Sequence, residues 1–282
     1  MLDIKEKLKN NAQVVEEALE SCYNYSNSYF QQLIEAQKYG LLGGGKRIRA
    51  FLVLEVCRLF SGDITPAIPY ACAIEMIHAS SLIHDDMPCM DNDDMRRGKP
   101  STHKKFGESL ALISGDAMMV KAFEVLIKND MLSLEQNAKA VELLALSTGE
   151  RGMLAGQTMD INAGKEKLDF ETLVKLHQYK TGKLISASAK LGCIAAGVGE
   201  NDEKYISAIK YAENVGLAFQ IIDDILDYNE GKRELNSFLS FMSLEDATKY
   251  ALDLTESGIS AIAPYDDGTF VELGRYLIKR EY

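Results

Sequence analysis

Two runs of carboxylates dominate the chemistry available to this chain. The first is Asp85-Asp86-Met87-Pro88-Cys89-Met90-Asp91, followed by Asn92-Asp93-Asp94 and then Arg96-Arg97-Gly98-Lys99. Carboxylates this close repel one another, so a folded site must supply cations or protons. Oxygen-only clusters suit Mg²⁺, which keeps several waters and completes its shell from substrate phosphates. The two arginines downstream offer planar forks for phosphate oxygens. A calcium loop starting at Asp91 is excluded. An EF-hand needs an acceptor at its fifth position and glycine at its sixth, where Met95 and Arg96 stand. Taken alone, the cluster also reads as a solvated acidic loop.

The second run, Asp223-Asp224-Ile225-Leu226-Asp227, follows the helix-forming stretch Ala218-Phe219-Gln220-Ile221-Ile222. Positions 216, 220, 223 and 227 share one helical face. Gly216, Gln220, Asp223 and Asp227 therefore form a stripe of a small residue, an amide and two carboxylates. Bare carboxylates on an apolar helix are costly unless paired or bound to metal; a salt-bridged structural helix is the alternative. The first run ends a similar helix, on which Ile74, Ile77, His78, Ser81 and Asp85 line up, apolar below and acidic at the mouth. Two such helices facing across a bundle would enclose a greasy pocket closed by Mg²⁺ and diphosphate. Ionisation of an allylic diphosphate is the chemistry that wants this geometry.

The elements that position these residues are helices. Hydrophobic residues make up 46% and charged residues 26% of the 282, an ordinary globular profile. All five prolines fall at 66, 69, 88, 100 and 264, so no pyrrolidine ring interrupts residues 101–263. Three-to-four-residue apolar spacing predicts one or two helices over 3–38, then helices over 46–60, 67–87, 107–128, 135–158, 169–196, 202–229, 243–262 and 269–280. A polar loop is expected over 89–101. No linker or repeat divides the chain. The expectation is one domain, 1–282, an all-α bundle of about ten helices with its site in a central cavity. The net charge of −11 argues against a nucleic-acid partner. Five unpaired cysteines, a charged N-terminus and no apolar run of roughly 20 residues predict a cytoplasmic protein with no transmembrane segment.

These residues resemble the trans-isoprenyl diphosphate synthases, in particular bacterial farnesyl and geranylgeranyl diphosphate synthases, over nearly the whole chain. Ile77-His78-Ala79-Ser80-Ser81-Leu82-Ile83-His84-Asp85-Asp86, continuing to Arg96-Arg97-Gly98-Lys99-Pro100, is similar to the first aspartate-rich motif, in the variant with four residues between aspartates. Asp223-Asp224-Ile225-Leu226-Asp227 is similar to the second. Gly44-Gly45-Lys46-Arg47-Ile48-Arg49 is similar to the N-terminal basic motif. The resemblance implies the isoprenoid synthase fold, Mg²⁺ as cofactor, a homodimer, and isopentenyl diphosphate and allylic diphosphates as substrates. It implies that Lys46, Arg49, His78 and Arg97 hold the diphosphate of isopentenyl diphosphate. Asp85, Asp91 and Asp223, supported by Asp86, Asp224 and Asp227, would hold Mg²⁺, and Arg96 would touch the allylic diphosphate. Lys180, Thr181 and Gln220 would lie beside the reacting carbons.

In the family, bulky residues four or five positions before the first aspartate stop the growing chain. Those positions are Ser81 and Ser80 here, with Met76 and Ile77 a turn below as the expected floor. Small residues there imply geranylgeranyl diphosphate as main product, with farnesyl diphosphate second. One departure is evident. The family carries a lysine-bearing loop after the second aspartate motif, whereas only Gly231-Lys232-Arg233 separates Asp227 from the next helix. Either this lid is shortened, or part of a longer loop is missing from the sequence; Lys232 alone remains to reach the allylic diphosphate. The departure keeps open a catalytically weak partner subunit, and shared metal-triggered ionisation keeps open a class I terpene cyclase.

Overall fold

The computed structural model describes residues 3–25, 28–164, 166–232 and 234–279. Arg233, invoked above for the shortened loop, lies outside them, as do residues 26–27 of the opening helices and residue 280 of the last. The chain opens with α1 (Ile4–Ser21), whose first amides are capped by the Asp3 carboxylate, and α2 (Gln31–Leu41). After a glycine-rich turn come α3 (Ile48–Ser61) and α4 (Ile68–Asp85). Pro69 sits in the first turn of α4, where its missing N–H costs nothing, and Pro88 follows its end.

The stretch expected as a plain loop over 89–101 contains a short antiparallel hairpin. β1 (Met95–Arg96) pairs with β2 (Lys99–Pro100), Arg96 opposite Lys99. Its two turn residues, Arg97 and Gly98, both have positive φ, 52° and 73°. Such turns match the natural twist of paired strands. Then follow the short α5 (Thr102–Phe106) and the long α6 (Glu108–Ile127).

The helix expected over 135–158 is two helices, α7 (Leu134–Thr148) and α8 (Met153–Ala163). The break falls at Gly149–Gly152, where the chain folds so tightly that a Cβ on Gly152 would sit 2.0 Å from the Ser147 carbonyl oxygen. Leu146 and Met153, seven apart, keep helical phase across this polar, glycine-bearing stretch, so periodicity alone did not reveal it. The stretch 169–196 is helical throughout but not uniform. α9 (Phe170–His177) passes through a π-helical turn at Gln178–Gly182 into α10 (Lys183–Ala195). Next comes the 27-residue α11 (Glu203–Asn229), then α12 (Leu244–Ile262) and α13 (Thr269–Ile278). The described residues thus hold thirteen α-helical segments where about ten were expected. The splits at 149–152 and 178–182 and the short α5 account for the difference.

α4 and α10 are the inner helices. α4 packs on α3 and α6, α10 on α3, α7 and α11, and α11 on α12. Ile74, Met76 and Ile77 on α4 and Leu184 and Leu191 on α10 are wholly buried. The C-terminal ends of α4 and α11 carry the two acidic runs. Among the described residues no helix is long and apolar enough to cross a membrane.

One close approach fixes the site's geometry. A Cβ on Gly156 of α8 would lie 2.1 Å from the backbone nitrogen of Lys180, so glycine lets α8 lie against the π turn. Gly156→Ala should lower stability by about 1–3 kcal/mol, the usual range for overpacking. Gly199→Ala, with nothing within 4 Å of its added carbon, should stay within about 0.5 kcal/mol of wild type. Urea denaturation midpoints measure both; equal effects would contradict the packing account.

Candidate active site

Asp85 closes α4 and is half-buried. Its Oδ1 accepts a hydrogen bond from Gln157 Nε2 of α8 at 3.0 Å. Burial pushes its carboxyl up to about 6, against the pull of Lys180. Asp91 is tied back to it through its own N–H, which donates to the Asp85 carbonyl at 2.9 Å. Burial raises Asp91 too, and Lys180 opposes the shift. Lys180 Nζ pairs with Asp160 of α8. One ammonium therefore faces three carboxylates, from α4, the loop after it, and α8.

The same π turn reaches the second acidic run. Thr181 Oγ1 donates to Gln220 Oε1 at 3.1 Å, and Gln220 Nε2 donates to Asp223 Oδ2 at 3.4 Å. A continuous chain of neighbours thus runs from Asp85 through Gln157 and Gly156 to Lys180, Thr181, Gln220 and Asp223. His177 lies in the preceding turn, its Nε2 buried without a hydrogen-bond partner, and burial depresses its imidazole to about 4 against the pull of Gln220, so it is neutral at pH 7. The wider π turn interrupts the normal helical spacing where Lys180 and Thr181 must meet these different partners.

The remaining acidic residues take other partners. Asp86 is buried and accepts from Arg96, whose Nε lies 2.9 Å from Oδ1 and whose Nη2 also bonds Asp93 at 3.1 Å. Arg96 is thus engaged with protein carboxylates where the resemblance implied a diphosphate contact. Asp224 points off the stripe and accepts from the N–H of Phe238 at 2.7 Å, capping a short 3₁₀ turn at Phe238–Ser240; burial raises its carboxyl. Asp227 pairs with Lys232 at 2.7 Å.

The four residues of the basic group meet at one cavity. Lys46, Arg49, His78 and Arg97 line a space of about 610 Å³ together with Arg47, Glu75 and the apolar Leu52, Ile185, Val215 and Phe219. Arg49 Nε is buried without a hydrogen-bond partner, as expected of a donor awaiting an anion. Burial lowers both Arg49 and Arg97; Arg97 pushes Arg49 further down, and Arg47 and Arg96 do the same to Arg97. His78 is held well below its usual range by burial and by Arg49 and Arg97. It therefore offers a neutral hydrogen-bonding ring where the resemblance pictured one of a set of anion holders. Lys46 is exposed and rests over the ring of Tyr276, 5.3 Å from its centre.

Among the described residues, no three acidic, histidine or cysteine groups already form a metal cage. Mg²⁺ rarely needs one, being commonly bound through one or two carboxylates, water and substrate phosphate oxygens. Half-buried Asp85 and exposed Asp91 fit that role, because a divalent cation would relieve the repulsion that helps raise Asp85. Ser80 and Ser81 differ in setting. Ser80 is wholly buried and donates to the Ile77 carbonyl, while half-buried Ser81 donates to that of His78.

The sequence reading missed Gln157, Asp160 and His177. Gln157 and Asp160 stand three apart on a helix just after a glycine, but their aim depends on the break at 149–152. Lys180→Met tests the electrostatics directly. Removing an ammonium that favours both ionised carboxylates should raise Asp85 above about 6 and raise Asp91 as well. Carbon-13 carboxylate NMR on metal-free protein reads the titration; unchanged curves would contradict the assignment.

Comparison with known proteins gives the family. Residues 30–239 match the family described as polyprenyl synthetase. The chain is similar to geranylgeranyl pyrophosphate synthase 7, chloroplastic, of Arabidopsis thaliana, 36% identical over 297 residues, covering 99% of this chain and 84% of that one. It is also similar to a dimethylallyltranstransferase of Fischerella ambigua, 35% identical over 296 residues, covering 99% and 84%. Among solved structures it superposes on an apo FPP/GFPP synthase of Zymomonas mobilis with TM-score 0.90 and 35% identity, over 98% of both chains. The chain belongs to the polyprenyl synthetase family.

Proposed function

We propose that this protein is a Mg²⁺-dependent short-chain trans-prenyltransferase, condensing isopentenyl diphosphate with an allylic diphosphate over one catalytic domain, 1–282. The observation that carries the reading is the pairing of two unlike surfaces. A basic cavity holding Lys46, Arg49, His78 and Arg97 accompanies a half-buried acidic mouth bridged by Lys180, Thr181 and Gln220.

Bound Mg²⁺ would neutralise the allylic diphosphate as it leaves. Asp85, Asp91 and Asp223 would hold that metal, with Asp227 on the same helical face as Asp223. Asp86 orients Arg96, and Asp224 anchors the end of α11 through the Phe238 amide. Lys180 and Lys232, both ion-paired to carboxylates, would offer their ammonium groups to the diphosphate oxygens. The Lys180 carbonyl, the Thr181 hydroxyl and the Gln220 carbonyl oxygen offer partial negative charge to the allylic cation. Holding isopentenyl diphosphate in the basic cavity aims its double bond at that cation, and such orientation is a large share of the catalytic effect. The electron pair of the double bond forms the new carbon–carbon bond, and the departed diphosphate then takes a proton from the adjacent carbon to restore an alkene.

Product length follows from α4. Ser81 lies one turn below Asp85 on the site face, and Ser80 stands beside it, five positions or about 7.5 Å from Asp85. Both are small, and Met76 and Ile77 form the floor, so geranylgeranyl diphosphate is the expected main product, with farnesyl diphosphate second. The protein acts in the cytoplasm as a homodimer. Supporting the dimer, Ile113, Val120 and Ile127 form a seven-residue stripe on α6, Val120 being 70% exposed, and such a stripe suits a facing helix. A cyclase would have no use for the basic cavity.

Incubation with Mg²⁺, isopentenyl diphosphate and geranyl diphosphate tests the reading. Elongated prenyl diphosphates are expected, and Asp85→Ala should reduce turnover by at least about 100-fold, the scale of losing one electrostatic catalytic contact. Cyclised hydrocarbon, or no turnover by wild type, would overturn it. Farnesyl diphosphate alone under excess isopentenyl diphosphate would refute the small-floor argument. In sedimentation, Val120→Glu should shift the species from dimer to monomer; a wild-type monomer would refute the dimer.

A further inference from the structure

The turn that leads into α3 has an unusual backbone. Gly44 and Gly45 have φ of 84° and 120°, which glycine adopts freely. Arg47, the residue preceding α3, has φ 49° and ψ 41°, a left-handed conformation that side-chain-bearing residues disfavour. Nothing in its own side chain caps the helix. The conformation is instead held from outside, by what the guanidinium grips.

Arg47 is 5% exposed. Its Nε donates to Glu16 Oε1 of α1 at 2.8 Å, its Nη1 to Glu75 Oε2 of α4 at 3.0 Å, and its Nη2 to the Leu41 carbonyl at the end of α2. The other oxygen of Glu75 accepts from the Ala50 N–H, in the first turn of α3, at 3.1 Å. One planar fork thus joins α1, α2 and α4, and its carboxylate partner joins α4 to α3. Both neighbours of Arg47 in the basic motif, Lys46 and Arg49, line the cavity assigned above to a diphosphate.

We infer that Arg47 is the positioning residue of this cavity: its buried fork to Glu16, Glu75 and Leu41 locks Arg47 in its left-handed conformation and so fixes the turn that aims Lys46 and Arg49 at a common anion with His78 and Arg97. The inference rests on reading that cavity as the isopentenyl diphosphate site. Arginine is required because its acceptors lie in different directions around one plane, and an ammonium is a point donor that cannot satisfy them together. Glu75 has a second part. It is the carboxylate lining a wall otherwise populated by Lys46, Arg47, Arg49 and Arg97, so it holds those cations together until a diphosphate arrives.

Steady-state kinetics of Arg47→Lys tests this. The KM for isopentenyl diphosphate should rise at least about tenfold while the KM for the allylic diphosphate stays within about twofold, the signature of lost binding at one substrate alone. A merely structural lesion would lower the active fraction, reducing kcat and leaving both KM values unchanged. Should Arg47→Lys fail to fold, Glu16→Gln decides. Glu16 is partly exposed, the amide keeps an acceptor oxygen, and the isopentenyl KM should rise about threefold through loss of the charge-assisted bond. Folded Arg47→Lys with an isopentenyl KM within twofold of wild type, both KM values rising together, or, where Arg47→Lys does not fold, an unmoved Glu16→Gln would overturn the clamp. Absence of turnover by wild type would instead defeat the reading of the cavity.

Discussion

Charges held partly out of water require partners, and in this protein the two sets of charges are kept apart. On one side Asp85, Asp91 and Asp160 crowd around the single ammonium of Lys180, and burial leaves Asp85 with a carboxyl near 6. On the other, Arg49, Arg97 and a neutral His78 share a cavity wall with Glu75, and neighbouring guanidinium charges weaken each arginine. Neither half is satisfied by the protein alone. The acidic half lacks positive charge, the basic half lacks negative charge, and a cation-bound diphosphate at one with a bare diphosphate at the other supplies both. The rest of the fold can be understood as what keeps these halves close without letting them neutralise each other.

Backbone proximity achieves that separation. Glycine at 156 lets α8 lie against the π turn, so that Gln157 reaches Asp85 while Lys180 reaches Asp160. The π turn then changes the angular spacing of successive residues, and adjacent Lys180 and Thr181 serve different helices. Arg97 belongs to the hairpin turn yet reaches the basic wall, its guanidinium about 3.1 Å from where a Cβ on Gly45 would stand. A side chain at 45 would push against that guanidinium, so glycine there has a steric reason beyond its own φ.

Much of this was legible in the sequence. Carboxylates at 85, 86 and 91 and at 223, 224 and 227 mark the chemistry by residue type, and the apolar spacing marks the helices that carry them. The boundaries of α4, α6, α11 and α12 fall within about two residues of expectation, because proline and polar residues punctuate them. The break between α7 and α8 was not legible. Two glycines permit it, and the tight local fold of Gly152 over Ser147 leaves no room for a side chain there; with the break went the roles of Gln157 and Asp160. Partner choice was equally hidden. Arg96, on the first strand of a hairpin whose turn needs two positive φ angles, folds back onto Asp86 at the end of α4, and Asp224 caps a turn fourteen residues on. Spacing places a residue on a face; it does not say which neighbour that face meets.

Isothermal calorimetry with inorganic pyrophosphate tests the two-halves picture most directly. Without metal, pyrophosphate should occupy one site per chain, the basic cavity, because the acidic mouth repels it. With Mg²⁺ the stoichiometry should rise to two, the second site appearing only when cation and anion are both present. A single site under both conditions, or two sites that form without Mg²⁺, would contradict the account.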